Sequence, residues 1–301
     1  MSKSGYPVIM RSMLFVPAHN DKLIASALRT QADVLLFDVE DSVQPINNKQ
    51  VARDNILKFI GENVCEDFKI FPRVNDRESG QLLKDLYQLT VPEIDGFMYP
   101  KSYRGEDIYF VDKLLETIEY EKGIARGHFK IIPLIETTSA VVHINEICSS
   151  SPRVVAVAFG CEDYLTDLGS FNDLEGQSIF TARSLIAMAA KANGIIPIDT
   201  VHIRVHDMED LEYNLDIAKK LGFEGMLSLH PKEIKYIHQY FSPTQQEIDD
   251  AHQMLRLAKA AEENNQGVAY MEGKFIGPPM VLQARKIIAR HEIIKRRKEK
   301  Q

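Results

Sequence analysis

Short, continuous apolar blocks alternate along this chain with longer stretches whose apolar residues recur at helical spacing. The blocks are Ser12–Pro17, Val34–Phe37, Lys69–Val74, Ile94–Tyr99, Ile131–Ile135, Val154–Phe159, Ile195–Ile198 and Gly225–Leu229. Val201–Ile203, just after the seventh block, competes with it, so the register of that strand is left open. Between the blocks the spacing predicts helices over Asp21–Thr30, Lys49–Glu62, Ser79–Leu89, Glu106–Lys122, Thr138–Ser149, Gln177–Ala192 and Met208–Leu221. Strands written as unbroken Val/Ile runs are buried on both faces, the condition of a parallel sheet. Eight such strands alternating with helices predict an α/β fold, a (β/α)8 TIM barrel over residues 1–241. Residues 242–301 differ in kind: an amphipathic helix over Thr244–Asn264, a connector or hairpin over Gly267–Ile276, and a second helix over Val281–Lys298. They form a C-terminal helical extension that cannot belong to a completed eightfold repeat and is expected to pack at a subunit interface.

The polar residues that interrupt the apolar blocks fall at one kind of position. Ile131–Ile135 stops on Glu136, Val154–Phe159 on Gly160-Cys161-Glu162-Asp163, and Val34–Phe37 on Asp38-Val39-Glu40-Asp41. Arg73 closes the third block, Pro100-Lys101 follows the fourth and His230-Pro231 the eighth. Parallel strands all end on the same side, and in a barrel the C-terminal ends of the strands form the active-site mouth. Acids after strands also cap helices, but here acids, two cations and a histidine converge. Glu136 and Asp163 side by side repel unless a cation lies between them, and two carboxylates completed by water are a usual Mg²⁺ site. Arg73 carries a planar fork that matches a carboxylate, and Mg²⁺ chelates a 2-oxo acid through its carboxylate and keto oxygens. Such a site favours the enolate that develops when a C–C bond beside a carbonyl breaks or forms.

Composition narrows the setting. The 301 residues, 45% of them hydrophobic, support a large core. A net charge of −7 argues against a nucleic-acid binder, and the basic run Lys295–Lys298 complements the end of a helix dipole. Cys65, Cys148 and Cys161 have no metal-type spacing and cannot all pair, which fits a reduced, cytoplasmic environment. No cleavable leader and no long apolar segment is visible, so neither export nor a membrane span is expected.

Several motifs together resemble the citrate lyase beta subunit-like family, within the HpcH/HpaI aldolase superfamily that includes malyl-CoA and citramalyl-CoA lyases. They are Arg11–Pro17, Phe37–Val43, Arg73-Val74-Asn75, Pro133–Thr137, Phe159–Tyr164 with Asp167-Leu168-Gly169, and Leu221–Gly225 with His230-Pro231. The resemblance implies a Mg²⁺-dependent carbon–carbon lyase, commonly trimeric or hexameric, that cleaves or forms a 3-hydroxyacyl thioester of coenzyme A or acyl carrier protein. It implies Glu136 and Asp163 as metal ligands, Arg73 on the carboxylate of the 2-oxo acid, and Glu40 and Asp41 supporting the waters around the metal. Lys101, at the same mouth, is a further expected substrate contact. Two departures stand out. Where the family has Pro-Gly-Asn-Arg-Pro the chain reads Pro17-Ala18-His19-Asn20-Asp21, leaving Lys22 to meet the nucleotide end of the carrier. Where many members carry Ile-Asp-x-Pro the chain reads Ile276-Gly277-Pro278-Pro279, and the proton-transferring acid is replaced by glycine. These departures keep open an aldolase acting on free 2-oxo acids, or a noncatalytic metabolite-binding homologue.

Overall fold

The computed structural model describes residues 9–63, 68–264 and 269–299. Its eight-stranded sheet comprises β1 (Ser12–Pro17), β2 (Val34–Asp38), β3 (Lys69–Ile70), β4 (Gly96–Tyr99), β5 (Lys130–Ile135), β6 (Ala156–Phe159), β7 (Ile196–Asp199) and β8 (Gly225–Ser228). The strands follow the order β3-β2-β1-β8-β7-β6-β5-β4, every registered pair parallel. The two ends of that order meet through the segment after β3. Arg73 bridges both Asp38 of β2 and Met98 of β4. Met98 N donates to Pro72 O at 2.9 Å and Val74 N to Met98 O at 3.1 Å, so the sheet closes into a barrel.

The third apolar block reaches Val74, yet regular pairing stops at Ile70. Pro72 has no N–H to donate, so on the β4 side it takes part only through its carbonyl, while Phe71 N and Arg73 N still donate to Leu35 O and Phe37 O of β2 at 3.0 and 2.9 Å. The seventh strand is Ile196–Asp199, and Val201–Ile203 lies beyond it. Full burial of β2, β4, β6 and β8 accounts for their non-alternating sequences.

Around the barrel lie α1 (Asp21–Ala27), α2 (Asn48–Glu62), α3 (Leu82–Leu89), α4 (Gly105–Glu121), α5 (Thr138–Val142), α6 (Ile144–Ser149), α7 (Cys161–Leu168), α8 (Gln177–Asn193), α9 (Met208–Leu221) and α10 (Glu233–Phe241). The single helix expected over Thr138–Ser149 is two. They part at His143, which leaves helical geometry at φ −99°, ψ 16° while its Nδ1 pairs with Ser139 O at 2.8 Å. Helices α7, just after β6, and α10, which follows β8 and completes the alternation, are short and lie outside the stretches predicted as helical.

The chain divides into two compact units, Met10–His238 and Gln239–Gln301, the second also taking Ile9. The second unit contains α11 (Gln245–Glu263), the hairpin β9 (Ala269–Met271) and β10 (Lys274–Ile276), and α12 (Pro278–Lys298). A capping box starts α11: Thr244 Oγ1 accepts from Glu247 N at 3.2 Å and Glu247 Oε2 from Thr244 N at 2.7 Å. Glu272 and Gly273, at φ 50° and 77°, make the two-residue turn with positive φ that matches hairpin twist. Ala261, Ala269 and Ile276 form this unit's core, with Met254, Leu257 and Val281 against them.

Among the described residues no helix is long and apolar enough to cross a membrane. Cys148 and Cys161 are free and buried, and burial pushes both thiols up to about 12, which suits packing rather than chemistry. Cys65 lies outside the described residues.

Candidate active site

The residues singled out at strand ends occupy one mouth because the strands are parallel and in register there. Pro17 of β1 pairs with Asp38 of β2, Asp38 bridges Arg73, and Arg73 bridges Met98, one residue before the end of β4. Glu136 follows β5 directly, and Asp163 stands in the first turn of α7, just after β6. Glu136 is 2% exposed and Glu40 4%. Asp163 and Asp41 are exposed at the rim.

A continuous chain of polar contacts ties Asp38, Arg73, Glu40, Lys101 and Glu136 together. Arg73 donates from Nε and Nη2 to the two oxygens of Asp38, both at 2.8 Å, in a buried bidentate pair. Its Nη1 lies 3.2 Å from Glu40 Oε2 and 3.5 Å from Asp41 Oδ2. The guanidinium also sits over the Phe15 ring at 4.9 Å. Glu40 Oε1 continues the chain to Lys101 Nζ at 3.1 Å, and that amine reaches Asp76 Oδ2 at 3.2 Å. The main-chain N–H of Lys101 then donates to Glu136 Oε1 at 2.6 Å. Beneath, Lys49 Nζ donates to the carbonyls of Val39 and Glu40 at 3.1 and 2.9 Å, which fixes the loop carrying Glu40.

Asp38 and Asp76 are the members that sequence reasoning passed over. Asp38 reads as a polar residue terminating a strand, and its role appears only once β2 and the segment after β3 are side by side. The Nε–Nη2 edge of Arg73 is therefore occupied from within the protein, and Nη1 is shared by Glu40 and Asp41.

Burial and charge set the protonation of these acids. Burial raises Asp38, but Arg73 outweighs it and holds the carboxyl below its ordinary value. Burial pushes Glu40 up to about 7, reinforced by Asp41 and opposed by Arg73 and Lys101. Burial pushes Glu136 up to about 8, opposed by the Lys101 N–H and reinforced by the negative charge of Asp163. Partial enclosure and the Asp41 charge raise Asp163 as well. Two neighbouring carboxylates that both resist ionisation are what a divalent cation would relieve. Among the described residues no group of three or more Asp, Glu, His or Cys is arranged around a metal position. Glu136 and Asp163 are hard oxygen donors of the kind that suit Mg²⁺ when water or substrate completes its coordination. Gly160 permits this approach, since a Cβ there would lie 2.9 Å from Glu136 Cβ and 3.1 Å from its Oε2.

Of the other residues singled out, Lys22 lies exposed in the first turn of α1, after β1. Asn20 Oδ1 caps α1 by accepting from Lys22 N at 3.1 Å and Leu23 N at 3.3 Å. The His230 ring packs edge-on against His206, centroids 6.0 Å apart, at the β7–β8 side of the mouth. Gly277 belongs to the second unit and is the N-cap residue of α12.

Residues 11–231 match the sequence profile of the HpcH/HpaI aldolase/citrate lyase family. The citrate lyase subunit beta of Haemophilus influenzae is 30% identical over 282 residues, 94% of this chain and 97% of that protein. The L-malyl-CoA/beta-methylmalyl-CoA lyase of Cereibacter sphaeroides is 27% identical over 305 residues, covering 94% and 95%. Among solved structures, the citrate lyase beta subunit of Mycobacterium tuberculosis complexed with oxaloacetate and magnesium superposes with a TM-score of 0.65 at 25% identity, over 79% of this chain and 99% of that one. A Burkholderia xenovorans citrate lyase matches the fold with a TM-score of 0.81 at 19% identity, over 97% and 96%. With this profile spanning the whole barrel and these relatives spanning nearly the whole chain, the protein belongs to the HpcH/HpaI aldolase/citrate lyase family and is, by class, a carbon–carbon lyase.

Proposed function

We propose that the protein is a Mg²⁺-dependent lyase that cleaves or forms a 3-hydroxyacyl thioester of the citryl, malyl or citramalyl type, with a 2-oxo acid as the other partner. The observation that carries this reading is the buried chain Asp38–Arg73–Glu40–Lys101–Glu136, which sets a fixed cation beside a carboxylate pair in a barrel mouth. Mg²⁺ held by Glu136 and Asp163 would supply positive charge where negative charge develops on the oxygens of the 2-oxo acid. Arg73, oriented by Asp38, receives the carboxylate at its Nη1–Nη2 side, where the incoming carboxylate takes over the Nη1 contacts to Glu40 and Asp41. In the cleavage direction the substrate hydroxyl loses a proton as the C–C bond breaks, and the released acyl carbon gains one. Glu40 and Asp41 hold water at the site, and Glu40, near 7, takes or returns a proton through it. Lys101 keeps Glu40 in place. Lys22 is assigned to the phosphates of the thioester carrier, and the second unit to a contact within a homotrimer or homohexamer.

A second reading, an aldolase acting on free 2-oxo acids, is favoured by two particular residues. Asn20 Oδ1 is engaged as a helix cap, and Gly277 has no acid to contribute. Incubating the protein and Mg²⁺ with citramalyl-, malyl- and citryl-CoA, and with free 4-hydroxy-2-oxo acids, separates the two. Release of acetyl-CoA supports the first and pyruvate from the free acids the second. Tight oxaloacetate or pyruvate binding without turnover would mark a noncatalytic binder and overturn both.

A further inference from the structure

Among the described residues two that are not glycine have positive φ, Glu272 and Lys101. Glu272 occupies a two-residue hairpin turn that requires it. Lys101, at φ 48°, follows Pro100 beyond the end of β4 and belongs to no such turn. A side chain with a Cβ is strained in the left-handed region, and strain of this kind persists where surrounding contacts over-determine it. The contacts are specific. The Lys101 N–H donates to Glu136 Oε1 at 2.6 Å, while Nζ reaches Glu40 Oε1 at 3.1 Å and Asp76 Oδ2 at 3.2 Å. Main chain and side chain of one residue thus grip three acids, Glu136 through the N–H and Glu40 and Asp76 through the amine. Glu136 is further confined by Gly160, close enough that a Cβ there would crowd it.

We infer that Lys101 is a positioning residue whose left-handed backbone, rather than its amine, fixes Glu136 for the metal by aiming the main-chain N–H at Oε1. The inference rests on the reading of Glu136 as a Mg²⁺ ligand. It separates two functions that a loss-of-lysine variant would confuse. The amine bridges Glu40 and Asp76, whereas the backbone sets the orientation of Glu136. Tolerance of the left-handed conformation should therefore decide metal affinity, and side-chain charge should not.

The test is Mg²⁺ titration by calorimetry across Lys101→Gly, Lys101→Asn, Lys101→Val and Lys101→Thr, with thermal unfolding to register the fold and Glu136→Gln as reference. Glycine and asparagine accept positive φ and lack the amine; valine and threonine are branched and resist it. We expect Gly and Asn to bind Mg²⁺ within about threefold of wild type, and the branched variants to bind at least about tenfold more weakly at comparable Tm. Threonine carries the comparison if valine does not fold. Equal weakening in Gly, Asn and Val would overturn the inference by assigning the effect to the amine. Wild-type affinity in the branched variants would overturn it by making the backbone conformation irrelevant. If Glu136→Gln itself binds Mg²⁺ like wild type, the metal site is elsewhere, and the failure belongs to the underlying reading and removes this one with it.

Discussion

Replacing Glu136 by Gln isolates the electrostatic cost of the proposed metal site. The substitution keeps an oxygen able to accept from the Lys101 N–H and removes only the ionisable oxygen. Each tenfold in proton affinity is worth 1.36 kcal/mol, so a carboxyl moved from 4.5 to about 8 has its charged form disfavoured by about 5 kcal/mol. That is comparable to the net stability of a whole domain. The folded pKa lies above the unfolded one, so between pH 4.5 and about 8 the metal-free native state holds a proton that the unfolded chain has released. Its stability therefore falls as pH rises through that window. From pH 6 to pH 8 wild type should lose about 2 kcal/mol relative to Glu136→Gln, about 1 M in urea midpoint. On the proposed assignment Mg²⁺ should bind the charged form of Glu136 and reverse the loss, stabilising wild type more at pH 8 than at pH 6 and the variant little at either. Urea denaturation of both proteins at the two pH values, with chelator and with Mg²⁺, reads all of this. Parallel pH profiles for the two proteins, or equal Mg²⁺ stabilisation of both, would refute the reasoning.

The remaining predictions address the other residues of the site. Asp163→Ala should abolish Mg²⁺-dependent oxaloacetate binding while leaving Tm nearly unchanged, because Asp163 is exposed at the rim; calorimetry showing undiminished binding would remove it from the ligand set. Arg73→Lys should weaken 2-oxo acid binding by about 1.5–3 kcal/mol, the worth of a hydrogen bond to a charged group that the lysine cannot replace as a fork. It should also lower stability, since Asp38 loses a bidentate partner, and unfolding without weaker ligand binding would point to a purely structural ion pair. Mg²⁺ binding at pH 7 should release about 0.9 proton from Glu136, read from calorimetry in buffers of different ionisation enthalpy. Gly277→Asp places a preferred capping residue at the start of α12, where its Cβ requires only that the half-exposed Phe275 ring move. If a tail carboxylate is what acyl-CoA turnover lacks, kcat should rise about 10²–10⁴-fold with little change in KM, and a flat or lowered rate would show that this segment is simply a turn and the proton is handled elsewhere.

What the sequence discloses here depends on whether the information is local. The barrel is legible because each parallel strand is buried on both faces and has to be written as an unbroken apolar run, whatever its neighbours are. The mouth is legible because parallel strands put every strand end on one side, so position along the chain alone gathers Glu40, Arg73, Lys101, Glu136 and Asp163. The pairings within the mouth are not local. Asp38 becomes the partner of Arg73 only because the segment after β3 runs on beside β2, with Arg73 bridging Asp38 on one side and Met98 of β4 on the other. The left-handed turn at Lys101 has no signature at all, since a lysine after proline carries no preference for positive φ, and the contacts that impose it come from residues 25 to 61 positions away. The difference follows from how the two kinds of residue are held. Core positions answer to burial, which any apolar side chain of similar volume satisfies, and so they leave a repeating pattern. Site positions answer to one geometry with one set of partners, and at Glu136 they do so at an energetic cost to the metal-free fold. A residue of that kind shows itself in sequence only by being an ionisable group where the fold rule demands something apolar.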